Sequence, residues 1–157
     1  MASSRSRWLS SLLVIALLAV AGGAWWHFRD YFQPPPAQRL PLDGCDLQKQ
    51  ACRRALPGGG TLEFSITPRP IPLVAPLKLR VRLEGVEARR VEVDFAGLNM
   101  NMGYNRPRLK RAGAGVFEGE GYLPVCIRRH MEWEAQVLLY LRHRVLAVPF
   151  RFDTYKN

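Results

Sequence analysis

The chain has 157 residues, enough for one folded domain with an appendage, and its mixed composition is that of a chain whose bulk folds rather than of a disordered tract. Its formal charge is +10 and its pI is near 10.3. No nucleic-acid motif accompanies that charge, and nucleic acid is not expected as a partner; the arginines are expected to face anionic lipid headgroups or an acidic protein, or to form a merely solvated basic surface.

Residues 1–7 carry Arg5 and Arg7 ahead of an uncharged run, and favour a cytoplasmic N-terminus. Residues 8–26, "WLSSLLVIALLAVAGGAWW", hold no charge. At about 1.5 Å per helical residue the run is long enough to cross a hydrocarbon layer roughly 30 Å thick. Trp8 at one end and Trp25 and Trp26 at the other suit the headgroup level, so the segment reads as a single transmembrane helix in the cytoplasmic membrane, with the rest of the chain on the periplasmic or extracytoplasmic side. Ala19-Val20-Ala21 also fits a signal-peptidase site, although the apolar run continues past it. Both readings export the domain, which keeps it from any genome.

Residues 27–44 include three consecutive prolines and are expected to be an extended linker, with the folded domain covering residues 45–157. Cys45 and Cys52 bracket "CDLQKQAC", and in an oxidising compartment so close a pair can close a small disulfide loop; two reduced thiols are the alternative. Cys126 is then left over as a reactive thiol or a ligand.

From Thr61 onward the period is two. Leu77, Leu79, Val81 and Leu83 alternate with Lys78, Arg80, Arg82 and Glu84, which puts the apolar set on one face of a half-buried strand. Val91, Val93 and Phe95 repeat the pattern, as do Trp133, Ala135, Val137, Leu139 and Leu141. Turn residues punctuate these runs at "LPGGG", "TPRPIPLVAP", "RAGAG" and "RHR". Six or seven short strands predict an all-β fold, an immunoglobulin-like two-sheet sandwich behind the transmembrane helix. The proline-rich residues 68–76 are expected to be a long crossover or an edge strand.

Enzyme signatures are missing: "PGGG" lacks the Lys and Ser or Thr of a phosphate loop, and neither a nucleophile elbow nor a zinc helix is written in the sequence. The chain is therefore not expected to be an enzyme. Its soft donors are more telling. Met100 and Met102, two apart at the end of a strand, would present both sulfurs to one side, and thioethers select Cu(I) over harder ions. "CIRRHM" looks like a hairpin turn that gathers Cys126, His130 and Met131, so a metal set of Met100, Met102, Cys126, His130 and Met131 is expected if that hairpin lies beside the strand end. Packing methionines are the ordinary alternative. A second reading makes Tyr104, Arg106 and Arg108 a docking surface of a metal-free interaction module or accessory subunit, since aromatic and arginine side chains anchor such surfaces.

"FAGLNMNMG", then "GVFEGEGYLPVCIRRHMEWEAQVLL" and a closing "VPFRF", over roughly residues 77–152, resemble the YtkA-like and FixH-like families of membrane-anchored exported domains. The resemblance implies copper handling or maturation of a haem-copper oxidase, with a membrane-bound oxidase or a copper chaperone as partner. It implies Met100 and Met102 as ligands, Gly119, Gly121 and Tyr122 in a strand core, and Trp133 as the sandwich aromatic. Cys126 and Arg128-Arg129-His130 depart from the plain turn of that pattern, which leaves the remaining ligands open.

Overall fold

A computed structural model describes residues 14, 17–20, 22–25, 37–125 and 127–156. Two compact units are separated at Pro35/Pro36. In the first, all the described residues are helical. Among the described residues no helix is long and apolar enough to cross a membrane, and the expected span at residues 8–26 falls largely outside them.

The second unit is all-β. Nine strands run β1 (Ala37–Arg39), β2 (Cys52–Ala55), β3 (Thr61–Thr67), β4 (Leu77–Glu84), β5 (Arg90–Gly97), β6 (Arg108–Gly113), β7 (Val116–Gly121), β8 (His130–Tyr140) and β9 (Val145–Tyr155). They join in the order β1-β9-β8-β5-β6-β7-β4-β3-β2, antiparallel except where β1 lies parallel to β9. The sheet turns a corner at β6. Arg108 and Leu109 pair with β5, whereas Lys110, Arg111 and Gly113 pair with β7 across an irregularity in register. Such an irregularity bends and twists a strand. The curl brings strands from the two ends of the order together, so that Phe64 of β3 and Phe150 of β9 sit with ring centroids 5.4 Å apart.

Alternation determines what faces inward. Every second residue of β4 and β5 is buried, and β8 buries Met131, Trp133, Ala135, Val137 and Leu139 in one continuous core. Trp133 is wholly enclosed, and its indole N–H donates to Thr154 Oγ1 at 2.9 Å, which satisfies the one polar atom that so large a ring carries inside. The disulfide joins Cys45 to Cys52, and the latter side chain is fully buried.

Three expectations are corrected. The domain starts at Ala37 rather than Cys45: β1 pairs with β9, Leu40 packs into the core, and Arg39 Nη2 donates to both carboxylate oxygens of Glu134 at 2.9 and 2.8 Å. Residues 68–76 are neither a crossover nor an edge strand; they close a hairpin between β3 and β4, which pair from Thr61↔Glu84 to Thr67↔Lys78. Nine strands replace six or seven, the additions being short ones.

Candidate functional site

The loop between β5 and β6 begins sooner than the alternation suggests. β5 ends at Gly97, so Met100 and Met102 belong to the loop and not to a strand end, and their sulfurs are not aligned by strand parity. Another device fixes them. Leu98 N–H donates to Glu132 O at 2.8 Å, and the Asn99 amide donates to His130 O at 3.2 Å while accepting from Glu132 N–H at 3.4 Å. Asn101 Oδ1 accepts from Gly103 N–H at 2.9 Å, a local turn that suits the positive φ of 75° at Gly103. Asn105 donates from its amide to Tyr122 O at 2.8 Å, and Phe95 N–H donates to Asn105 O at 2.9 Å. The asparagines thus bind the loop to β5, to β8 and to the segment after β7.

Their work leaves the methionines lying inward. Met100 and Met102 are half-buried against the core, and Met131, inward on β8, is 1% exposed. The side chains of Met102 and Met131 meet at Gly97, where the Met100 backbone also passes. A Cβ there would stand 2.3 Å from Met100 O, 3.0 Å from Met102 Cγ and 3.1 Å from Met131 Cε. The missing side chain is the space into which the thioether arms of Met102 and Met131 close, one at the half-open loop and one at the core.

His130 is not part of this group. It opens β8 instead of lying in a turn, and its neighbour Met131 points to the opposite face. On its own face the imidazole stacks on Tyr155 with centroids 4.7 Å apart, and Nε2 lies 3.5 Å from Asp153 Oδ1. Cys126 lies outside the described residues. Among the described residues no group of three or more His, Cys, Asp or Glu side chains is placed to hold a metal ion.

Of the expected docking residues, Tyr104 is 82% exposed. Arg106 is already engaged, with Nη2 3.0 Å from Asp94 Oδ2 and its guanidinium 5.4 Å from the Tyr104 ring centroid. The hydrogen bond to Asp94 raises the Arg106 pKa beyond its ordinary value, against the opposing effect of burial. Arg108 opens β6 and is exposed. Leu98, Tyr122, Val125 and Ile127, the last 87% exposed, join Tyr104 as apolar groups on the loops after β5 and β7.

Gly119 and Gly121 have packing reasons. A Cβ at Gly119 would lie 2.7 Å from Leu109 Cδ2, and one at Gly121 would lie 3.0 Å from Leu79 Cδ1 and 3.2 Å from Phe95 Cε2. Tyr122 lies past the end of β7 and is exposed rather than in a strand core. Sequence reading missed the clamping role of the Asn99 and Asn105 amides, although the alternation of asparagines with Met100, Met102 and Tyr104 is the visible trace of the division of labour between amides and thioethers. Neither protein-family models nor curated proteins match the sequence, and no solved structure matches the fold.

Proposed function

We propose that this chain is a membrane-anchored, extracytoplasmic domain of the immunoglobulin-like sandwich class that binds or passes Cu(I), or assists assembly of a copper enzyme such as a haem-copper oxidase. The observation that supports this reading is the convergence of the Met102 and Met131 side chains over Gly97, with Met100 on the same loop. Thioethers are soft donors that hold Cu(I) without a proton to displace at neutral pH. Cys126, five residues before Met131, supplies a thiolate in this proposal, and His130, which begins β8 on the face opposite Met131, is left out of the ligand set. The ion would enter past Met100 and Met102, the half-buried sulfurs, and reach Met131 last.

Titration of the full chain with Cu(I) against a chromophoric chelator tests this. One equivalent binds to the parent chain, and the double variant Met100→Leu, Met102→Leu loses most of that affinity while remaining folded, since Leu for Met nearly conserves volume. No stoichiometric binding, or binding unchanged in the double variant, refutes a copper site.

A second reading, a metal-free interaction module, is supported by the exposed Leu98, Tyr104, Tyr122, Val125 and Ile127 on neighbouring loops. It expects retained association with a membrane-complex partner in the double methionine variant and loss in Tyr104→Ala with Ile127→Ser, read by co-purification from membranes.

A further inference from the structure

Most of the sheet neutralises its arginines. Arg39 is paired with Glu134 at 2.8 Å, Arg80 with Glu118 at 2.9 Å and Arg106 with Asp94 at 3.0 Å, and Arg53 is paired with Glu84. The pattern breaks at the corner strand. A depression on the sheet at β5 and β6 is lined by Arg89, Arg90, Arg108, Leu109, Lys110 and Arg111, with no acid in the lining. Among the described residues no hydrogen bond or ion pair engages the side chains of Arg89, Arg108 or Lys110, all of them exposed. Arg90 and Arg111 are held in place: Arg90 lies 3.7 Å over the Tyr140 ring and 3.3 Å from Glu92, and Arg111 donates to Ala88 O at 2.9 Å while lying over Phe117. Two carboxylates lie close by: Glu92, in register with Arg108, is already shared between Arg90 and the Tyr140 hydroxyl, and Glu118, in register with Lys110, is already paired with Arg80 at 2.9 Å. Five cations against two acids that are both already committed leave a positive hollow, and such a hollow is stabilised by a group that is anionic and accepts several hydrogen bonds.

The register says what lies near. Ala37 pairs with Val145, Val145 with Tyr140 and Tyr140 with Arg90, so a single row across β1, β9, β8 and β5 joins the point where the chain enters the sheet to the rim of the hollow. Three inter-strand steps amount to about 14 Å. Arg142 and Arg144, in the turn between β8 and β9, stand at this same end, opposite to the methionine loop.

The geometry points to a binding site for the phosphate of an anionic lipid headgroup, formed by Arg89, Arg108 and Lys110 at the end of the domain where the chain enters. The inference rests on the membrane anchor proposed above.

The full chain is placed in nanodiscs of phosphatidylcholine alone or with phosphatidylglycerol, and acylation of Lys110 by a water-soluble ester is followed by mass spectrometry, with Lys156 at the opposite end as the internal reference. Lys110 reacts several-fold more slowly in the phosphatidylglycerol discs, Lys156 reacts equally in both, and the Arg89→Gln, Arg108→Gln variant abolishes the difference. Equal Lys110 rates in the two discs, or equal slowing of Lys156, overturn the site. Slowing by inorganic phosphate in phosphatidylcholine discs, without slowing by phosphatidylglycerol, overturns the lipid assignment in favour of a free anion. A chain that stays outside the discs overturns the anchor, and this inference with it.

Discussion

Gly97→Ala probes the closeness of the loop over β8. The new methyl would stand 2.3 Å from the backbone carbonyl oxygen of Met100, a group that cannot swing aside as a side chain does. Ordinary contact requires the loop to retreat by about 1 Å. The same methyl crowds Met102 Cγ at 3.0 Å and Met131 Cε at 3.1 Å. Overpacking of this kind costs about 1–3 kcal/mol. At about 4 °C per kcal/mol for a domain of this size, a cost near 2 kcal/mol lowers the melting temperature by about 8 °C. Gly103→Ala is the control. It has open space around it but a φ of 75°, so it pays only the left-handed backbone cost of about 1 kcal/mol, near 4 °C. Thermal unfolding of the full chain in a neutral detergent, followed by near-ultraviolet circular dichroism, reads both. A Gly97→Ala melting temperature within about 1 °C of the parent, or a larger loss in Gly103→Ala, refutes the close approach of loop and strand.

Thr154→Val removes the acceptor of the buried Trp133 N–H at nearly constant shape, and costs about 1–3 kcal/mol in denaturant unfolding; Thr154→Ser, which keeps the hydroxyl, costs less. Replacing both Cys45 and Cys52 by Ser opens a loop with a sequence separation of 7 and destabilises by about 2.5 kcal/mol on the chain-entropy estimate, checked by unfolding with and without reductant. Burial, and then the hydrogen bond that the hydroxyl donates to Glu92, raise the Tyr140 pKa above 10.0. Stability from this group is complete below the unfolded phenol value near 10.0 and is lost as pH rises through the higher folded value, so Tyr140→Phe flattens the alkaline decline measured by unfolding at increasing pH.

How much of this was legible depends on whether a segment presents one buried face over several residues. β4, β5 and β8 do, and their alternation is written in the sequence. β2 has four residues, and one of its two inward positions is Arg54, 9% exposed, paired with Asp43 at 3.3 Å and donating to Pro41 O. An arginine at an inward position hides the period. β1 is three exposed residues whose place comes from hydrogen bonds to β9 and from the Arg39–Glu134 pair, neither of which leaves a local pattern. Glu134 itself, 6% exposed, sits where alternation promises a solvated face, because β1 and Arg151 of β9 cover that side. Pro149 inside β9 is tolerated because β1 covers only Val145–Ala147, which leaves the outer edge of β9 open beyond. At the candidate site the donor types were legible and their grouping was not. A one-residue difference in where β8 starts decides that His130 and Met131 face opposite ways, and the two glycines in "GLNMNMG" do not say which of them ends the strand.

The division of labour in the loop makes Asn99 the sharper test of what the methionines are for. Asn99 carries no sulfur, yet its amide makes two hydrogen bonds to the β8 backbone, at 3.2 and 3.4 Å, both long and together contributing about 1 kcal/mol. Asn99→Ala therefore leaves every donor in the chain and leaves the Trp133 core untouched, but it frees the segment that holds Met100 and Met102 over Met131. If the thioethers only fill space, the variant loses about 1 kcal/mol of stability and nothing else. If they form a preorganised site for a soft ion, ordering the loop becomes a cost of binding, and the same 1 kcal/mol appears as about a fivefold weaker Cu(I) affinity in the chelator titration. Unchanged Cu(I) affinity alongside the expected loss of stability would show that the loop clamp has no part in holding metal.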